Sequence, residues 1–332
     1  MVEGKRCYGT TYGKAAREHE KSSRVKILLF GGVHGKISTK GRGSVRSLRI
    51  ERKSREAAMA GKKNTKVICF ANNKGGSGKS TSCANIGYTL AALGKKVLLL
   101  DGDMQLNLSL SFLDEERVLE LAASEKNLYY AIKNQKDLQG YIISTPYENL
   151  DLVPSSTLMS SIEYELFSKW NRERILKKCL ESIRGSGEYD FILMDAPPTL
   201  GGWVVNLLAA SDYLLIPVEA SPWGLFGLAN MFEFVNSIEE VAPDLTVLGI
   251  AITKVDERKN YFKQTIDSLR EIPDVHVFEN YIRVDSSIEW AQDNNKPVMA
   301  FKKSSRSAKE YEALAEEILK EMKKSKKNAK SI

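Results

Sequence analysis

From residue 66 onward the chain alternates short apolar runs with segments whose apolar positions recur every three to four residues. Lys66–Ala71 is a run of strand formers. A Gly-rich stretch separates it from a helical pattern over Ser80–Leu93, which Gly94 stops. Lys96–Leu100, Leu150–Val153, Phe191–Met194, Tyr213–Val218, Val247–Thr253 and Val275–Phe278 read as further strands. Helical spacing predicts a long helix or helix pair over Leu158–Ile183 and a glycine-started helix before Tyr213. It also predicts helices over Trp223–Val241, Tyr261–Arg270, Ser287–Gln292 and Ser307–Met322. Strands that are apolar at nearly every position are covered on both faces, as parallel strands flanked by helices are. The expected fold is α/β, a mostly parallel doubly wound sheet with helices on both faces.

Composition changes this picture at one end only. With 332 residues, 42% hydrophobic and 27% charged, the chain is ordinary globular material and excludes collagen-like, disulfide-scaffold and wholly disordered classes. The net charge of +7 is unevenly spread: residues 1–58 hold 15 Lys/Arg and 5 Asp/Glu, leaving 34 and 37 for residues 59–332. The first segment is rich in Gly, Ser, Lys and Arg and has too little apolar surface to offset the entropy of ordering it. We expect a basic, disordered extension over 1–58, a folded domain over 59–322 and a Lys-rich tail over 323–332. Two readings of the extension stand open: a DNA-binding tail, or sequence upstream of a start at Met59. Its apolar run Ile27–Phe30 is too short for a secretory signal. Cys7, Cys69, Cys83 and Cys179 form no C-x-x-C pair, so zinc and iron–sulfur ligation find no support. No apolar stretch reaches membrane-spanning length, and a soluble cytoplasmic protein is expected.

The sharpest chemical signal is Asn73-Lys74-Gly75-Gly76-Ser77-Gly78-Lys79-Ser80-Thr81, placed between the first strand and the first helix. Glycines let backbone N–H groups approach phosphate oxygens, and the helix that follows adds its positive N-terminal end. Lys79 would reach the β- and γ-phosphates, and the Ser80 hydroxyl would ligate Mg²⁺. A triphosphate with Mg²⁺ also calls for carboxylates at neighbouring strand ends. Asp101 and Asp195 each end an apolar run, and Asp103 follows two residues after Asp101. Asn73 stands where the strict phosphate-loop pattern has glycine, and Lys74 adds a second cation.

The pattern K-G-G-x-G-K-[ST] resembles the deviant Walker A box of the ParA/MinD family of ATPases. Asp101-Gly-Asp103-Met-Gln105-Leu-Asn107 is similar to the family's D-x-D-P-Q-x-N motif. Tyr189-Asp through Asp195-Ala-Pro197-Pro198 is similar to its Walker B segment. Asn295-Lys296-Pro297-Val298 also fits the ParA subfamily, and the resemblance covers about residues 64–322. It implies an ATPase that closes as an ATP-bound homodimer, with Lys74 reaching the partner's nucleotide and Asp103 orienting the attacking water. It implies catalytic roles for Lys74, Lys79 and Asp103, metal-shell roles for Ser80, Asp101 and Asp195, and nucleotide contacts for residues 74–81 and Thr253. It further implies non-specific DNA binding, a ParB-type centromere-binding adaptor and a nucleoid location. Arg258, Lys259, Lys263, Arg270, Lys302, Lys303, Arg306 and Lys309 are the candidate basic surface.

Two departures stand out: Met104 replaces the usual proline, and Arg283-Val284-Asp285 replaces a Pro-Arg-Asn-like turn near the base. Thr253-Lys254-Val255-Asp256 resembles the guanine-reading T-K-x-D box of related GTPases. ATP is favoured over GTP because Lys74 belongs to the ATPase branch. A MinD-like membrane role would need the C-terminal stripe Tyr311, Leu314, Ala315, Ile318, Leu319 and Met322 to face lipid. At this spacing it is expected to pack on the domain.

Overall fold

The computed structural model describes residues 65–259, 261–272 and 275–328. The expectations for the 1–58 extension and for the last four residues of the tail lie outside the described residues. Seven strands form one sheet: β1 (Lys66–Phe70), β2 (Val97–Asp101), β3 (Ile143–Ser144), β4 (Leu150–Val153), β5 (Phe191–Asp195), β6 (Tyr213–Glu219) and β7 (Thr246–Thr253). Their order is β3-β4-β2-β5-β1-β6-β7. Every pairing is parallel except that of the edge strand β3 with β4. The expected α/β architecture is therefore present.

Thirteen α-helices lie among the described residues. Between β1 and β5 they are α1 (Lys79–Ala92), α2 (Asn107–Leu110), α3 (Glu115–Ala123), α4 (Leu128–Lys133), α5 (Ile162–Phe167), α6 (Ile175–Cys179) and α7 (Glu181–Ser186). After β5 come α8 (Gly202–Ala209), α9 (Pro222–Ser237), α10 (Tyr261–Arg270), α11 (Ser286–Asp293), α12 (Val298–Phe301) and α13 (Arg306–Asn328).

Successive strand residues point to opposite faces, and the sheet accordingly separates two cores. On one side Val67, Cys69, Ile192 and Met194 pack with Leu176, Trp203 and Leu207. On the other, Ile68, Phe70, Leu99 and Leu193 pack with Cys83, Ile86 and Leu90 of α1 and with Tyr311, Leu314 and Ile318 of α13. The C-terminal stripe thus faces the sheet and α1. Complete burial of Leu314 and Ile318 contributes about 1.5–3 kcal/mol each, and no such stripe is left for lipid. No described helix is long and apolar enough to cross a membrane.

Two predicted elements differ. The stretch Leu158–Ile183 is broken into 3₁₀ turns at Thr157–Ser161 and Arg172–Arg174 and the short helices α5, α6 and α7. Asn171 adopts a left-handed φ of 50° between them, a conformation that asparagine tolerates and that ends a helix. Part of the apolar periodicity here comes from Tyr164, Phe167 and Trp170, which are 83%, 77% and 89% exposed. They face water and contribute nothing to a buried helical stripe. Val275–Phe278 is not a strand: it meets the sheet at one bridge, Val277 to Ile250.

Candidate functional site

A cavity of about 890 Å³ opens at the C-terminal end of the central strands, lined by the phosphate loop, Asp103, Gln105, Thr253, Lys254 and residues of the 282–295 segment. The loop takes its shape from glycine. Gly78 precedes α1 with φ +84° and ψ 22°, a conformation that costs other residues about 1–2 kcal/mol. The Thr253 hydroxyl donates to the Ser77 carbonyl at 2.8 Å and so ties the loop to the end of β7. Gly75, Gly76, Gly78, Lys79, Ser80 and Thr81 line the cavity. The Ser77 side chain is buried with an unpartnered hydroxyl and does not line the cavity. Thr253 lines the cavity while its hydroxyl belongs to the loop. Thr81 accepts from Gln292 at 3.0 Å.

Beneath the loop the sheet register sets the charges. Asp101 and Asp195 are paired positions at the ends of the neighbouring strands β2 and β5. Gly102 passes so close to β5 that a Cβ there would lie 2.6 Å from the Asp195 carbonyl oxygen. Only glycine fits, and this close passage delivers Asp103 to the cavity wall. Asp101 accepts from the backbone N–H and hydroxyl of Ser109 at 2.8 and 2.7 Å, and from the Asp103 N–H at 3.2 Å. Burial nevertheless pushes its pKa up to about 6, against the pull of those donors. Through these bonds, two at Oδ2 and one at Oδ1, Asp101 braces the Asp103–Ser109 segment.

Asp195 is fully buried, and neither carboxylate oxygen has a partner at normal hydrogen-bond geometry among the described residues, with the Ser80 side chain as its adjacent donor. Burial, and then the Asp101 charge, raise its pKa well above the carboxylate range, while Ser80 and Lys79 oppose the shift. An orphaned buried carboxylate beside a serine at a helix start is the donor chemistry that suits a hydrated Mg²⁺. Lys79 is 6% exposed, and its ammonium donates to the Lys74 carbonyl at 3.4 Å. Burial pulls its pKa down, and Asp195 and Asp103 push it back up. Asp103 is 6% exposed and accepts from the Gln105 N–H at 3.1 Å. Lys79, Ser80 and Asp103 thus converge on one end of the cavity, and the buried Asp195 acts on Lys79 through its charge.

A family model described as an AAA domain matches residues 65–247. The sporulation initiation inhibitor protein Soj of Bacillus subtilis (strain 168) is 33% identical over 254 residues, 76% of this chain and 98% of that protein. The chromosome partitioning protein ParA of Myxococcus xanthus is 30% identical over 260 residues, 77% of this chain and 88% of that one. The chain belongs to the ParA/Soj family. Among solved structures, a putative plasmid partition protein from Borrelia burgdorferi, bound to AMPPNP, superposes with a TM-score of 0.66 and 27% identity. The match covers 77% of this chain and 99% of that one.

In this ParA/Soj protein the second lysine of the loop turns away from the phosphate end. Lys74 pairs with Glu219 at the end of β6 and donates to the Ser221 hydroxyl at 3.0 Å. Asn72 fixes this turn by accepting from the Lys74 N–H at 3.0 Å and donating to the Pro217 carbonyl at 2.7 Å. Glu219 and Ser221 escaped the sequence reading because they lie 145 and 147 residues away, with no local pattern to mark them. Ser109, eight residues after Asp101, was missed for want of any motif that includes it.

At the other end of the cavity, the Arg283-Val284-Asp285 turn lines the wall. Arg283 is held by Glu310 at 2.6 Å and Glu257 at 3.0 Å. Asp285 caps α11 by accepting from the Ser287 N–H at 2.9 Å and also accepts from the Ser307 N–H. Asp256 is not among the residues that line the cavity, and its two oxygens accept from Arg258, at 2.8 and 2.9 Å. Of the candidate basic surface, Arg258 and Arg306 are committed to internal pairs. Lys263, Arg270, Lys302, Lys303 and Lys309 are exposed without ion-pair partners among the described residues.

Proposed function

We propose that this chain is an ATP- and Mg²⁺-dependent switch ATPase of DNA partition, active as a homodimer in the cytoplasm. In this reading the ATP-bound dimer holds nucleoid DNA without sequence preference and answers to a ParB-type adaptor on a centromere-like site. The observation that carries it is the split between the loop's two lysines. Lys79 is buried among carboxylates that face the phosphate end, whereas Lys74 is turned outward onto Glu219 and Ser221. Kept off its own phosphates, Lys74 would leave Glu219 to serve another subunit's nucleotide. The names of the relatives, chromosome partitioning and plasmid partition, support the same reading.

The residues divide the work by position. The loop N–H groups and Lys79 bind the polyphosphate, and Ser80 with Asp195 would hold the metal. Mg²⁺, when bound, spreads charge from the phosphate oxygens. Asp103 orients the attacking water at the cavity wall. Unpaired Lys263, Arg270, Lys302, Lys303 and Lys309 would supply phosphate contacts to DNA.

The test compares wild type with Lys74→Ala in ATP-dependent dimerisation and DNA retention across a salt series. Wild type should dimerise with ATP and Mg²⁺ and hold DNA with a steep loss as salt rises. Lys74→Ala should bind ATP yet dimerise and hydrolyse at least about tenfold less well, the scale of a lost charge-assisted hydrogen bond. A Lys74→Ala protein that dimerises and hydrolyses like wild type sinks the proposal.

A further inference from the structure

We propose that Lys254 is a further phosphate-contacting residue of this chain, meeting the nucleotide's polyphosphate from the end of β7 as the third lysine at the loop. The inference rests on the nucleotide reading above and extends it to a residue outside the loop motif.

Five observations converge on Lys254. It directly follows Thr253, whose hydroxyl is anchored to the Ser77 carbonyl at 2.8 Å, so its place beside the loop is fixed by a buried bond. Its ammonium reaches the loop itself: a Cβ built on Gly76 would lie 3.8 Å from Lys254 Nζ. The residue lines the cavity, and its backbone holds a left-handed φ of 53°. That conformation costs a residue with a Cβ about 1–2 kcal/mol, and such strain persists only where the surroundings impose it. Finally, the ammonium has no carboxylate or carbonyl partner among the described residues. The contrast with its neighbours is sharp, since Glu219 neutralises Lys74, Asp256 neutralises Arg258, and Glu310 with Glu257 neutralises Arg283.

An unneutralised cation held over a glycine loop at the start of a helix makes a site for an anion, and the polyphosphate is the anion this loop fits. Lys254 and Lys79 act in different dielectric settings. Lys79 is buried and works at short range with little screening. Lys254 is exposed, so its contribution is smaller and salt-sensitive.

The test measures equilibrium binding of ATP, ADP and AMP with Mg²⁺ to wild type, Lys254→Met and Lys254→Arg, at low and at high salt. At low salt Lys254→Met should weaken ATP and ADP by about fivefold and leave AMP unchanged. Lys254→Arg should bind like wild type, and the gap for Lys254→Met should close at high salt. Equal ATP and ADP affinities for Lys254→Met and wild type at low salt overturn this inference alone. So does an equal loss for all three nucleotides, which marks a disturbed fold. A wild-type chain that binds no ATP overturns the nucleotide site and this inference together.

Discussion

At the phosphate end of the cavity Asp101 and Asp195 are fully buried, and Asp103 and Lys79 are each 6% exposed. At the opposite end, the charged side chains of the Arg283–Asp285 turn are paired with Glu257, Glu310 and α11, and Val284 stands 52% exposed. The first region keeps charges in a dry setting where Asp101 and Asp195 repel one another and Asp195 lacks a hydrogen-bond partner. The second has satisfied its charges internally before any ligand arrives. Unsatisfied buried charge is costly to the free protein and valuable once a cation and phosphates enter. The phosphate end should therefore dominate affinity and limit the free protein's stability, and the other end should do neither.

The largest expected effect concerns Asp101. Its pKa rises from 3.8 to about 6 because burial disfavours the charged form. The folded state then holds more protons than the unfolded state between those values, so stability falls as pH rises through that window and levels off above it. Asp101→Asn removes the titration. The variant's stability relative to wild type, from urea unfolding without nucleotide, should therefore climb with pH across the window by up to about 3 kcal/mol. Parallel pH profiles for the two proteins would mean that Ser109 and the Asp103 N–H fully compensate the buried charge.

Lys79→Ala comes next. It removes the cation that faces Asp195 and Asp103 and the phosphates together, and ATP affinity should drop by about 30-fold or more, the scale of a lost charge-assisted contact. Calorimetric titration with ATP and Mg²⁺ checks it. A loss below about threefold would place the binding energy in the loop backbone and not in its buried charge.

The same contrast decides what could be read from the sequence. The phosphate loop is legible because its chemistry is backbone chemistry: N–H groups can turn inward only where Gly78 supplies a left-handed φ, and glycine is visible in the chain. Asp101 and Asp195 are legible as carboxylates that end apolar runs. Their register pairing, which sets the repulsion, is a contact between strands 94 residues apart in numbering and leaves no local trace. Thr253 lines the cavity, and the bond that fixes it there, from its hydroxyl to the Ser77 carbonyl 176 residues away, leaves no local trace either. The segment around Trp170 misleads for another reason: exposed aromatic residues enter a hydrophobic count although they bury nothing.

The smallest expected effect lies at the far end, and it is the strictest check on the contrast. Arg283 reaches Glu310 through its own N–H at 2.9 Å and through its guanidinium at 2.6 Å. In Arg283→Ala the backbone contact survives, and Arg306 remains 3.7 Å from the same carboxylate. Glu310, 12% exposed, therefore keeps two of its contacts, and the loss of stability should be about 1 kcal/mol. Arg283 lines the cavity, but its guanidinium is already held by Glu310 and Glu257, so ATP affinity should change by less than about twofold, within the scale of a surface pair. Thermal unfolding and ATP titration of one variant separate the two quantities. A tenfold loss of ATP affinity with stability unchanged would mean that Arg283 leaves its carboxylates for the ligand. In that case the far end, too, would recognise the nucleotide by charge, and its pairing in the free chain would be a resting state like that of Lys74 with Glu219.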